Sequence, residues 1–168
     1  MRLADYPLIQ PHLRKTAILD TNLLLTAWCV KFDKSLLLKF KKLTTLGFGA
    51  DEIGLLSALL ELFPSCSTTP HVLTEVSNLT NSLASWMKDD WYKFLAKEIG
   101  LIDEKFEPSA TVASDAIAFK FGLTDAALAR LAATHVILTL DGPLTGLLEA
   151  RQLAVINFNH LRQALLYS

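Results

Sequence analysis

Two cysteines, Cys29 and Cys66, are all that the chain carries. They lie far apart, with no second pair and no His-rich spacing, which excludes a disulfide framework and a thiolate zinc site; both read as small core residues. Apolar runs of membrane-spanning length are missing too. The most apolar segment, IGLLSALLELF at 53–63, is too short to cross a bilayer and carries Glu61. The opening MRLADYPLIQPHLRK has no uninterrupted apolar run of signal-peptide length, so a soluble, cytoplasmic protein with no membrane partner is expected. Charge of one sign is also lacking. A formal net charge of −1 excludes binding to nucleic acid through bulk positive charge, although a local basic face stays open. Repeats, low-complexity tracts and long Pro/Gly/Ser linkers are absent. With 51% hydrophobic residues over 168 positions, the expectation is one domain covering 1–168.

What is present is an alternation. Short β-branched apolar runs at 16–19, 135–140 and 154–158 read as strands buried on both faces, and the segments between them carry apolar residues at helical spacing. Two helix starts are legible: Thr69-Pro70 before HVLTEVSNL, and Thr124 before DAALARLAATH, where Thr124 is read as the cap and Asp125 as the first helical residue. Further helices are expected over 35–46, 50–63, 87–99, 111–121, 144–151 and 159–166, with Gly100 and Gly122 as helix stops. Strands alternating with helices point to an α/β fold, a three-layer α/β/α sandwich around a mostly parallel central sheet.

The polar residues inside this apolar pattern carry the chemistry. In TAILDTNLLLTAW, residues 16–28, Asp20 sits where a buried strand turns into a helix, a position costly for a carboxylate unless something holds its charge. VILTLDGPL, residues 136–144, repeats the device with Asp141. Parallel strands joined by right-handed crossovers end on one edge, the edge at which open α/β sheets bind ligands, so Asp20 and Asp141 are expected to be neighbours. Pattern alone leaves Glu75 and Asp125 open. Clustered carboxylates repel one another unless cations lie among them, and an oxygen-only donor set favours magnesium or manganese over zinc. Such a site suits phosphodiester hydrolysis.

The succession AILDTNLLL, TPHVLTEVSNL, FGLTDAALARLA, VILTLDGPL and AVINFNHL resembles, in order and along nearly the whole chain, the PIN-domain family of metal-dependent ribonucleases. The resemblance implies a PIN-like fold in which Asp20, Glu75, Asp125 and Asp141 converge as catalytic, metal-binding acids at the carboxyl edge of the sheet. It implies supporting roles for Asn22 and Thr139, which match polar positions that orient the acids or bound water. It further implies a Mg2+- or Mn2+-dependent endoribonuclease acting on RNA, with the toxin half of a toxin–antitoxin pair as a setting and an antitoxin protein as partner. Each acid also has a plainer reading. Asp20 and Asn22 serve as helix-capping residues, Asp125 as a first-turn charge on the helix dipole, Glu75 as a solvent-facing helix residue and Asp141 as a turn residue before Gly142-Pro143. Two other functions stay in view, a non-catalytic protein- or RNA-interaction module and a structure-specific DNA nuclease.

Weaker signals surround this set. KFDKSLLLKFKK, residues 31–42, gathers Lys31, Lys34, Lys39, Lys41 and Lys42 against the single Asp33, a substrate-binding candidate whose plainer and weightier reading is a solvated helix face. The segment 50–63 has an apolar surface wider than one core contact requires, to be covered by a partner, by a second copy in a homodimer, or by the ordinary core. SWMKDDWYKF, residues 85–94, sets aromatics beside lysines in a mixture able to stack bases, though core packing is favoured. Asp115 reads as an early-helix charge. The four histidines show no ligand spacing, and Ser57 and Ser114 lack a base beside them.

Overall fold

The chain alternates strand and helix because each strand is too apolar to face water on either side. Ala17–Leu19 (β1) and Val136–Thr139 (β4) are buried at every position, and such strands persist only between two layers of helices. The computed structural model, which describes residues 2–167, places them at the centre of a five-stranded, wholly parallel sheet with Cys66–Thr68 (β2), Asp103–Glu104 (β3) and Val155–Asn157 (β5). The strand order is β3-β2-β1-β4-β5. Ala17 pairs with both Cys66 and Val136, and Thr139 with Asn157. The protein is an α/β/α sandwich.

That order matters for function. After β1 the chain works outward to β3 at one edge, then returns to β4 on the other side of β1. The order therefore reverses between β1 and β4, and crossovers on the two sides of that line leave to opposite faces, opening a crevice at the carboxyl ends of these two strands. Asp20 follows β1 directly, and its N–H donates to Leu138 O of β4 at 3.0 Å.

The helices are Thr21–Phe32 (α1), Lys41–Thr44 (α2), Ala50–Glu61 (α3), Pro70–Thr80 (α4), Ser85–Ile99 (α5), Ser109–Ala113 (α6), Ala116–Phe121 (α7), Leu123–Leu131 (α8), Gly142–Ala150 (α9) and Phe158–Leu166 (α10). Helix α1 is apolar nearly all round and buries Leu23, Leu24, Leu25, Trp28 and Cys29, as a helix packed by neighbours on several sides must. Buried side chains from both faces of the sheet form one continuous apolar cluster. Among the described residues no helix is long and apolar enough to cross a membrane.

Several expectations are corrected. The helix expected over 35–46 is a 3-10 turn at Lys34–Leu38 followed by the single turn α2; Phe40, buried at 3% exposure, adopts an extended backbone between them. The helix expected over 111–121 divides into α6 and α7, because Asp115 accepts the Ile117 N–H and starts a new helix. Helix α8 begins at Leu123, with Gly122 at its cap position at φ +89, a left-handed conformation that favours glycine. Thr124 is thus inside the helix and caps nothing.

The apolar surface of α3 turns inward: Leu56 and Leu59 are buried and Ile53, Leu55 and Leu60 pack against the core. Trp91 is likewise core, at 0% exposure, while Trp86 is exposed. Both cysteines are free thiols, Cys29 buried and Cys66 half-buried, and burial pushes them up to about 12 and about 11 respectively.

Candidate acidic site at the sheet edge

Asp20, Glu75, Asp125 and Asp141 line one cavity of about 170 Å3 at the carboxyl ends of β1 and β4, together with Asn22, Lys42 and the Phe121–Thr124 junction between α7 and α8. Four elements deliver the acids. Asp20 closes β1 and caps α1, accepting the Leu23 N–H at 2.9 Å. Asp141 follows β4 and caps α9, accepting the Leu144 N–H at 2.7 Å, with Pro143 in the first turn where its missing N–H costs nothing. Glu75 stands one turn into α4, a helix started as the sequence reading expected by Thr69 and Pro70. Asp125 lies in the first turn of α8. The capping reading of Asp20 is therefore correct, Asp141 caps a helix where a turn residue was the plainer reading, and both caps coexist with a shared cavity.

Threonine hydroxyls hold two of the acids. Thr139 donates to Asp20 Oδ2, which also accepts the Leu140 N–H at 3.1 Å. Thr21 Oγ1 donates to Glu75 Oε2 at 2.8 Å, and Thr124 Oγ1 to Glu75 Oε1 at 2.5 Å. Asp141 is tied further by the Thr145 hydroxyl on its carbonyl oxygen, and Asn157 of β5 donates in turn to Thr145. Asp125 has no such donor. Burial, then the charges of Asp141, Asp20 and Glu75, push its carboxyl up to about 7, against the opposing pull of Lys42. Burial is also the largest influence on Asp20, which lies above the usual carboxylate range despite its three hydrogen bonds.

The donor set consists of oxygens alone, the chemistry a hard divalent cation requires. Lone pairs remain on it: Asp20 Oδ1 and both Glu75 oxygens each accept one hydrogen bond and have room for a second contact, and Asp141 Oδ2 has no donor among the described residues. Asn22 Oδ1 is buried without a partner, an acceptor whose desolvation nothing offsets. In chemistry, then, these residues fit magnesium or manganese. In geometry they are not yet a cage. Among the described residues no group of three or more Asp, Glu, His or Cys side chains stands in ion-holding arrangement.

The five lysines of 31–42 separate. Lys42 alone lines the acid cavity, and Lys41 joins it on the wall of a neighbouring pocket. Lys31 is committed to Glu98 at 2.7 Å, Lys39 lies over the Trp86 ring at 5.2 Å, and Lys34 is exposed in its 3-10 turn. Sequence reasoning passed over Thr21 and Thr124 as site residues. Their adjacency to Asp20 and Asp125 was visible, but the helix register that aims both hydroxyls at Glu75 was not.

Comparison of the chain with family models, with curated proteins and with solved structures finds no match in any of the three.

Proposed function

We propose that the protein is a Mg2+- or Mn2+-dependent endoribonuclease, its acids Asp20, Glu75, Asp125 and Asp141 acting together on an RNA phosphodiester. One observation carries the reading: four carboxylates from four separate elements share a single cavity at the point where the strand order reverses. Burying these carboxylates together costs stability, and Asp125 displays it in a pKa raised first by burial and then by the charges of Asp141, Asp20 and Glu75. A structural role would not require it. Bound there, the ion would supply Lewis-acid activation of water and neutralise phosphate charge. Thr139 and the Leu140 N–H hold Asp20, and Thr21 and Thr124 hold Glu75, so an ion would bind to the lone pairs that these bonds leave. Lys42, at the rim, meets the anionic strand.

The family resemblance in the motifs adds RNA as substrate and a toxin's place beside an antitoxin as setting. Incubation of single-stranded RNA with the purified protein tests the chemistry. Cleavage is expected only with added Mn2+ or Mg2+, and metal-independent cleavage, or cleavage undiminished by Asp20→Asn, would overturn the reading.

The absence of a ready-made cage among the described residues favours a second reading, a fold of this kind that docks a protein or an RNA and leaves the acids unused. Addition of Mn2+ separates the two, since only an ion-binding protein gains melting temperature from it.

A further inference from the structure

Beside the acid cavity, and sharing Lys42 with it as a wall, lies a second and larger pocket of about 530 Å3 between the start of α1, the Phe40–Thr45 segment and the end of α4. Leu25 and Phe40, both buried, and the half-buried Leu79 make its apolar floor, and the exposed Lys41, Lys42, Asn78 and Ser82 its polar rim. We propose that this pocket receives a nucleobase of the substrate strand, one nucleotide away from the phosphate held at the acids, and so sets the register of cleavage. The proposal rests on the nuclease reading.

Three features select this occupant. The volume lies within the range of small-ligand sites and accommodates a base with its ribose. An apolar floor with an amide and a hydroxyl at the rim matches a base, which has apolar faces and a polar edge. The charges are complementary, because a base entering between Lys41 and Lys42 brings its own phosphate against two exposed cations, while the next phosphate along the strand reaches the acid cavity past Lys42. The same side of the chain continues the pattern, since Lys39, next to Phe40, lies over the exposed ring of Trp86. On the opposite flank of the acids, the pocket bounded by Pro70, Phe106 and Leu123 contains no lysine or arginine. Two neighbouring pockets thus differ in the feature that a phosphate-linked base needs.

Binding of a fluorescent single-stranded RNA octamer to the Asp20→Asn protein, with the base removed at each position in turn, tests the proposal. Loss of one particular base should weaken binding about tenfold while the others matter little. Ser82→Trp, which fills the mouth from an exposed position, and Leu79→Trp, which fills the floor, should each abolish that positional sensitivity. Equal losses at every position, sensitivity unchanged in a folded Ser82→Trp variant, or no measurable affinity for any octamer at low salt would overturn the pocket. Failure of the two readings is distinguishable. A wild-type protein that cuts RNA with Mn2+ but shows no positional dependence loses the pocket and keeps the chemistry; one that shows the dependence but cuts nothing keeps the pocket and loses the chemistry.

Discussion

At the carboxyl edge of β1 and β4, four carboxylates crowd one cavity, three of them held in place by threonine hydroxyls and helix-start N–H groups, whereas around Trp91 three phenylalanine rings pack edge-on and tilted, 5.4 to 6.3 Å away. Both regions involve α1 or the segment just after it; Trp91 and Phe40 are buried, whereas of the acids Asp20 is buried and Glu75, Asp125 and Asp141 are half-buried. Their energetics are opposed. The aromatic cluster gains by burial of large apolar surface, and the acid cavity loses by burial of charge. A fold that carries both has stability in one place and strain in the other, the pattern expected where the strained part serves a ligand.

The comparison breaks first at Trp91. Trp91→Ala should cost about 3–5 kcal/mol and lower the melting temperature by roughly 10 °C, while cleavage per folded molecule at low temperature stays close to wild type. A melting temperature unmoved by this change would mean that the cluster is not where stability resides. The opposite signature is expected at the acids. Asp20→Asn should reduce metal-dependent cleavage by about 10²-fold or more, with the melting temperature of the metal-free protein little changed, because removal of a buried charge offsets the acceptor that Thr139 and the Leu140 N–H lose to an amide nitrogen.

A smaller effect sharpens the contrast. Asp125 has a folded pKa of about 7 against an ordinary 3.8. Between those values the unfolded chain has released the proton and the folded chain retains it, so stability falls as pH rises through that window, and above it the full penalty remains. In metal-free protein at about pH 8, Asp125→Asn should therefore melt about 2–4 °C higher than wild type, and the difference should shrink as pH is lowered towards 4. A variant that melts lower than wild type at high pH would contradict the claimed repulsion. Thr124→Val is the mildest change. It removes the hydroxyl on Glu75 and should cost about 1 kcal/mol of stability while lowering cleavage severalfold, readable as a loss in kcat with KM little changed.

The two regions also differ in how far the amino-acid order announces them. Asp20 and Asp141 were legible because each ends an apolar β-branched run; Thr69-Pro70 marked the start of the helix that carries Glu75, but pattern left Glu75 itself open, and only the family resemblance singled it out. The β1-β4-β5 side of the sheet was legible from the same kind of apolar run. β2 was not, since Cys66-Ser67-Thr68 is short and its burial comes from position beside β1 rather than from apolar side chains. β3 is two exposed acids on an edge and has no hydrophobic signal at all. The breaks at Phe40 and at Asp115 were hidden because apolar spacing continues through them: Phe40 turns to extended backbone as its ring is buried, and Asp115 caps a new helix by accepting the Ile117 N–H. Thr124 illustrates the limit. Its type and place suit a cap, yet Gly122 starts the helix earlier and frees the hydroxyl for Glu75, 49 residues away.

Everything proposed for the acid cavity turns on whether it takes up a divalent ion, and calorimetric titration of the metal-free protein with Mn2+ measures that directly. The account predicts saturable heat and a melting temperature that rises with ion concentration, both lost in Asp20→Asn and in Asp141→Asn. No heat and no change in melting temperature in the wild-type protein would contradict it.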